Sequence, residues 1–182
     1  MTRNRKDSFG SKLRVSNQPN IELAGDACRE VGLMLSQTLA SEMVLAVKTR
    51  NAYWNVTGSG FFDQRFILNS QYTQLNETCK KVAGRIRVLG GAVVYDLLEF
   101  LQIARIKEHP GVVPGFLDLL AAHEIFIRFL REDARKCSEQ YEDDVSHTLL
   151  VSTLDLHEKM AWMLRSNIAS ELTGDRNKGS NE

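Results

Sequence analysis

Cysteine and proline are both scarce in this 182-residue chain. The three cysteines, Cys28, Cys79 and Cys137, are odd in number and contain no Cys-x-x-Cys pair, which argues against a disulfide framework and against a zinc ribbon. The chain also lacks the apolar core of a signal peptide and any uninterrupted apolar run of about eighteen residues. We therefore expect a protein of the reducing cytoplasm that is neither exported nor inserted in a membrane.

Charge of neither sign predominates, because 23 Lys and Arg residues balance 23 Asp and Glu residues in a composition typical of one soluble domain. The balance conceals a basic N-terminus, since residues 1–20 contain a single acid, Asp7. One interpretation is a flexible, solvated arm, and the other is an arm that binds DNA phosphates. The DNA-binding candidates are Arg3, Arg5, Lys6, Lys12 and Arg14.

Long stretches of the chain contain no proline, the strongest helix breaker. In these stretches apolar residues recur at steps of three and four, which is the period of an amphipathic helix. The pattern predicts four long helices. Their stripes are Leu35, Leu39, Met43 and Val47; Leu68, Tyr72, Leu75, Cys79, Val82, Ile86 and Leu89; Phe116, Leu120, His123, Ile127, Leu130, Ala134 and Cys137; and Leu150, Leu154, Ala161, Leu164 and Ile168.

The connections between the predicted helices differ in length. Short turns join the first pair and the last pair, so each pair is expected to fold back as a hairpin. The middle connection, residues 90–112, has the length of the crossover in a ferritin-type bundle, and residues 96–104 within it are predicted as a short helix. The expected fold is an all-α four-helix bundle over residues 21–171, with flexible segments at 1–20 and 172–182.

Common catalytic and metal-binding motifs are absent from the sequence. The Glu-x-x-His pairs of an intrasubunit di-iron bundle are missing, and Asp144-x-x-His147 is the one approximate match. His-Glu dipeptides occur at 123–124 and 157–158, but neighbours on a helix point about 100° apart and cannot chelate one ion together. We interpret them as hydrogen-bonded structural pairs. Phosphate-binding glycine loops and nucleophile elbows are also missing.

Three motifs carry a family resemblance. They are KTRNAYWNVTG at 48–58, followed by a Phe pair at 61–62, then VAGRIRVLGG at 82–91 and HEKMAWMLR at 157–165. In this order and spacing the sequence resembles the Dps family, the mini-ferritins known as DNA-binding proteins from starved cells. The resemblance implies a hollow dodecamer of four-helix subunits. Most relatives oxidise Fe(II) between two-fold-related subunits and store the ferric product inside, and some coat DNA.

The ferroxidase ligands that the resemblance implies are all replaced. The histidine of the usual His-Trp-Asn-Val run falls on Tyr53, the second histidine on Arg65, and the aspartate four residues further on Asn69. On the facing subunit the aspartate and glutamate fall on Lys80 and Gly84. Fe(II) needs carboxylate and imidazole ligands, so we expect no metal cofactor at these positions.

The resemblance and the substitutions together lead to one expectation and one alternative. We expect a cage protein of iron storage, iron homeostasis and DNA or oxidative-stress protection, without the usual intersubunit ferroxidase centre and with iron only in the cage interior or channels. The alternative is an active ferroxidase with a non-standard site, for example in the bundle interior, so enzymatic activity stays open. The expected partners are further copies of the chain, an active relative in a mixed shell, and DNA, in the cytoplasm or at the nucleoid.

Smaller features complete the set of candidates. Glu142, Asp143 and Asp144 precede the last helix, where the family lines its three-fold channels with carboxylates, although acids also favour helix N-termini on electrostatic grounds. Glu77 or Asp63 is expected to neutralise the cations of the former iron site. Cys79 is interpreted as a buried, inert thiol.

Overall fold

The computed structural model describes residues 19–58, 60–93 and 96–178, and the side chains as far as residue 170. These residues form five α-helices and no strand. The helices are α1 (Gly25–Asn55), α2 (Phe61–Val88), α3 (Leu97–Ile103), α4 (Phe116–Glu139) and α5 (Asp144–Lys178). The expected all-α bundle with a short crossover helix is confirmed. The predicted basic arm, with Arg3, Arg5, Lys6, Lys12 and Arg14, lies outside the described residues.

The four long helices form two hairpins, α1 with α2 and α4 with α5. The predicted stripes of α2, α4 and α5 face the shared core, where Leu75, Val82, Leu130 and Leu150 are at most 1% exposed. The last helix is longer than expected, because α5 continues beyond residue 171 into the segment predicted to be a flexible tail.

The buried face of α1 differs from the predicted one. The predicted stripe used steps of four only, and each such step turns about 40° past a full revolution, so Val47 at its end is 54% exposed. Steps that alternate four and three follow the true core face. That face contains Val31, Leu35, Thr38, Glu42, Leu45, Thr49 and Ala52. The core therefore includes polar side chains that the apolar pattern could not reveal.

Helix α1 is also long and apolar enough to cross a membrane by length and composition alone. However, 61% of its most apolar window is buried inside the bundle. Such burial is usual for the core helix of a bundle, so the length and composition of α1 are weak evidence for a membrane span.

The crossover is fixed to the bundle through Arg105. Its guanidinium donates to Asp133 Oδ2 on α4 at 2.5 Å and to Gln37 Oε1 on α1 at 2.6 and 3.1 Å. Its backbone N–H donates to Ser41 Oγ at 3.0 Å. Because Asp133 is 1% exposed, this contact joins the two hairpins through a largely buried ion pair.

Candidate metal-binding region

The turn between α1 and α2 brings together two of the five residues that the motif resemblance predicts to replace metal ligands, Tyr53 and Arg65. Gly58 and Gly60 have positive φ values of 91° and 79°, a conformation that glycine adopts without a steric penalty. The turn places the Arg65 guanidinium 4.0 Å from the centre of the Tyr53 ring. Arg65 Nη1 also donates to the backbone carbonyl of Tyr53 at 3.3 Å.

A second arginine extends this arrangement. The Arg50 guanidinium lies 5.2, 5.0 and 4.6 Å from the ring centres of Tyr53, Trp54 and Tyr72. These distances are typical of cation–π contacts. We call the group the Arg–aromatic cluster; its members are Arg50, Tyr53, Trp54, Phe61, Arg65 and Tyr72.

The cluster lacks the side chains that commonly bind Fe(II). It contains neither an imidazole nor a carboxylate, and no Asp or Glu oxygen of the described residues lies within 4.0 Å of the Arg50 or Arg65 guanidinium. Guanidinium groups stay protonated at any physiological pH. The residues present at these positions therefore do not fit the metal that the family implies.

The remaining ligand positions lie elsewhere on α2. A helix rises about 1.5 Å per residue, so Lys80 lies about 22 Å along the α2 axis from Arg65. Lys80 Nζ donates to Glu77 Oε1 at 2.6 Å in an exposed pair, and Gly84 is exposed with open space where a Cβ would be. Asn69 is exposed as well. Within one chain the five positions therefore form two groups. Tyr53, Arg65 and Asn69 lie near the start of α2, and Lys80 and Gly84 lie toward its end.

The acidic residues before α5 have different environments. Asp143 is 2% exposed and accepts hydrogen bonds from Arg85 Nη2 at 2.7 Å and from the Ser146 backbone and hydroxyl at 2.9 and 2.6 Å. Burial raises the pKa of Asp143, but the hydrogen bonds from Ser146 and Arg85 outweigh it and hold the pKa below its ordinary 3.8. Asp143 thus caps α5, and Glu142 and Asp144 are the exposed acids of the trio.

A line of polar side chains crosses the bundle interior. His123 Nδ1 on α4 lies 2.8 Å from His157 Nδ1 on α5, and His157 Nε2 lies 2.9 Å from Glu42 Oε1 on α1. All three residues are fully buried. At the two ends of the line, His123 Nε2 and Glu42 Oε2 have no hydrogen-bond partner among the described residues.

This interior line does not form a chelating site. Both nitrogens of His157 are engaged in opposite directions, so the donors follow one another instead of converging on a point. Among the described residues no group of three or more His, Cys, Asp or Glu side chains is arranged to hold a metal ion. Burial raises the pKa of nearby Cys79 to about 12, and the Glu42 charge adds to that effect, so its thiol is a poor ligand.

The His-Glu dipeptides are divided between the interior and the surface. The two histidines contact each other inside, whereas the two glutamates pair with arginines of the opposite helix. Arg165 donates to Glu124 at 2.6 Å, and Arg131 donates to Glu158 at 2.5 Å. Glu42 was not among the predicted site residues, and the signal that could have found it is its place in the alternating four-three pattern of α1.

Acidification is expected to destabilise the bundle through His123. Burial, and then the neighbouring His157, lower the folded-state pKa of His123 well below its ordinary 6.5, so below that pH the unfolded chain binds more protons. The stability contribution is complete above about pH 6.5 and is lost as the pH falls toward the folded pKa. We expect the urea midpoint to fall between about pH 7 and pH 5, and to fall less in His123→Gln.

The matched control for this prediction is His109→Gln, because His109 is exposed and lies outside the bundle interior. Its urea midpoint should follow the pH dependence of the wild type. If His123→Gln and His109→Gln have the same pH dependence as the wild type, His123 does not cause the acid sensitivity.

The chain is similar in sequence and in fold to ferritin-like proteins. Residues 33–171 match the ferritin-like domain family. An uncharacterized low temperature-induced protein of Nostoc sp. is 34% identical over 156 residues, which cover 84% of this chain and 87% of that protein. A DNA protection during starvation protein of Brevibacillus brevis is 28% identical over 75% of this chain and 93% of its own length. Among solved structures, DpsC from Streptomyces coelicolor superposes with a TM-score of 0.79 at 26% identity, covering 83% of this chain and 90% of that chain.

Proposed function

Because the chain belongs to the Dps family of ferritin-like proteins, we propose that it forms a protective cage that lacks the family's intersubunit ferroxidase centre. Iron storage and DNA protection are the functions of the family. In this proposal twelve copies of the chain form a shell in the cytoplasm or at the nucleoid. Iron would be held in the interior or channels and not at the Arg–aromatic cluster.

The observation that carries the proposal is the contact between Arg65 and Tyr53. The resemblance of the motifs assigns these two residues to positions of the family's imidazole ligands, and a guanidinium lies 4.0 Å from the tyrosine ring. Two unit charges of like sign about 4 Å apart repel by about 4 kcal/mol at an effective dielectric constant near 20. A dication beside Arg65 would meet this repulsion without an anionic ligand to offset it.

The exposed surface around the α1–α2 turn supports self-assembly. Trp54, Phe62 and Phe66 are 65%, 84% and 75% exposed, and large apolar side chains grouped on a surface mark an interaction site. We propose that further copies of the chain, or an active relative in a mixed shell, cover this surface. Light scattering on the purified protein is expected to give the mass of a dodecamer, and a monomeric mass would contradict the proposed cage.

Metal-soaked crystals test the loss of the ferroxidase centre directly. Crystals soaked in Fe(II) or Zn(II) are expected to show no anomalous density among Tyr53, Arg65 and the Lys80 side chain of a neighbouring copy. A relative that carries the usual ligands, soaked under the same conditions, is the positive control. A well-defined metal ion coordinated at the Arg–aromatic cluster would refute the proposal.

DNA binding is proposed to depend on the arm that precedes the bundle. Each arm carries five cations before residue 15, and binding through them releases counterions, so affinity should fall steeply as salt rises. Gel shifts across a salt series should show strong binding by the full chain and weak binding after deletion of residues 1–16. Equal binding by the two proteins would show that the arm does not contribute to DNA binding.

A further inference from the structure

A buried lysine under the crossover lacks a counter-charge. Lys48 on α1 is 5% exposed, and its ammonium carries three N–H donors. The contact described for these donors is with the backbone carbonyl of Lys107, 3.5 Å away, at the outer limit of a hydrogen bond. No carboxylate of the described residues lies within 4.0 Å of the Lys48 ammonium.

Three acids of the surrounding segments do not pair with Lys48. Glu108 follows Lys107, and its Oε2 has no hydrogen-bond partner among the described residues, but no Glu108 oxygen lies within 4.0 Å of the Lys48 ammonium. Asp133 accepts from Arg105 at 2.5 Å, and Asp118 Oδ2 accepts from the Gly115 backbone N–H at 2.9 Å. Burying a charge without a partner is strongly unfavourable, and proteins keep such a charge where something supplies the opposite one. The described contacts therefore leave the Lys48 ammonium without an anionic partner.

Lys48 is one of the residues that line a pocket. Its volume is about 380 Å³, within the range of small-molecule sites. Its lining includes the basic residues Lys48, Lys107 and His109 and the apolar residues Ile106 and Ile125. Arg105 and Asp118 also line the pocket. The Arg105 charge is offset by Asp133 and Asp118 accepts from the Gly115 backbone N–H, so Lys48 is the buried cation of this wall without a paired carboxylate among the described residues. We call this space the crossover pocket.

We propose that the crossover pocket binds a small oxyanion, a phosphate or a short carboxylate, through the Lys48 ammonium. Charge-assisted hydrogen bonds from an ammonium to such oxygens are short and strong, and they would satisfy donors that the chain leaves without close acceptors. This inference is independent of the proposed loss of the ferroxidase centre, because the crossover pocket shares no residue with the Arg–aromatic cluster.

Calorimetric titration of the assembled full-length protein with citrate and with inorganic phosphate tests the proposal. Sodium chloride at equal ionic strength is the control for general screening. We expect saturable binding of at least one probe, and the tighter probe identifies the headgroup chemistry. Lys48→Met keeps the length of the apolar stem but removes the charge, and it should bind the tighter probe roughly tenfold or more weakly.

The matched control is Lys159→Met, which removes an exposed lysine on α5 and should bind like the wild type. Thermal melts provide a second measurement: the tighter probe should raise the Tm of the wild type and of Lys159→Met, but not that of Lys48→Met. Lys48→Met is expected to fold, because it replaces an unpaired buried ammonium by an apolar side chain and so removes the cost of burying that charge.

Two outcomes would overturn the proposal. One is equal affinity for the probes in the wild type and in Lys48→Met. The other is the absence of saturable binding of either probe by the wild type. A changed shell mass in Lys48→Met would then mean that a carboxylate of a neighbouring copy supplies the counter-charge.

Discussion

Purified protein given Fe(II) under anaerobic conditions, and then oxygen or peroxide, is expected to oxidise the iron no faster than protein-free buffer does. The reason lies in the ligand positions, where Tyr53, Arg65 and Lys80 present a phenol and two cations in place of imidazole and carboxylate groups. The measurement is the initial rate of Fe(III) absorbance. A catalytic rate above the protein-free rate would refute the loss of ferroxidase activity.

Restoring the ligands of the family pattern is expected to produce a large gain. The variant carries five substitutions, and its oxidation rate should exceed that of the wild type by roughly tenfold or more, because metal ions both bind and activate the oxidant at such sites. The substitutions are Tyr53→His, Arg65→His, Asn69→Asp, Lys80→Asp and Gly84→Glu.

A four-substitution variant that keeps Arg65 is the matched control. It has the same added carboxylates but retains a guanidinium beside the site, so its rate should stay near that of the wild type. If the wild type itself proves active, Glu42→Gln and His157→Gln test the non-standard interior site. Loss of activity in these variants would favour that alternative.

Asp143→Ala is expected to cause a large loss of stability. It removes the acceptor of a largely buried ion pair, in which the Arg85 and Asp143 side chains are 11% and 1% exposed, and it also removes the cap of α5. Leaving a buried charge unpaired costs about 3–5 kcal/mol. Urea denaturation at pH 7 should show a loss of unfolding free energy of this order.

Two comparisons separate the ion pair from general effects at the start of α5. Asp144→Ala changes an exposed acid at the next position, so its stability should lie within about 0.5 kcal/mol of the wild type. Adding Arg85→Met to Asp143→Ala should recover part of the loss, since no unpaired guanidinium then remains. A double variant as unstable as the sum of the two single variants would show that Arg85 and Asp143 are not coupled.

The sequence contained most of the information on the fold. The four-three spacing of Leu68, Leu75, Val82 and Ile86 identifies the buried face of α2 correctly, because a helix that packs on one side repeats its apolar positions with its own period. On α1 the apolar pattern misleads, since Glu42 and two threonines occupy core positions while Val47 faces outward.

The candidate sites depend in part on contacts between residues that are far apart in the sequence. The motif order predicts that Tyr53 and Arg65 fall on the family's ligand positions, and the structure brings these two side chains into contact. By contrast, His157 and Glu42 are 115 residues apart. Only the packing of α1 against the second hairpin makes them neighbours, so no local pattern could pair them. Arg85 on α2 and Asp143, directly before α5, are 58 residues apart, and they likewise meet only because the two hairpins pack together.

The contacts of the Arg–aromatic cluster do not depend on pH in the neutral range or on a bound metal ion. Guanidinium groups keep their charge and aromatic rings keep their quadrupole throughout the neutral pH range, and neither depends on a bound ion. Chelators and metal scarcity leave such contacts intact. A particle joined through this surface would keep its architecture in a cell starved of iron and in one flooded with it.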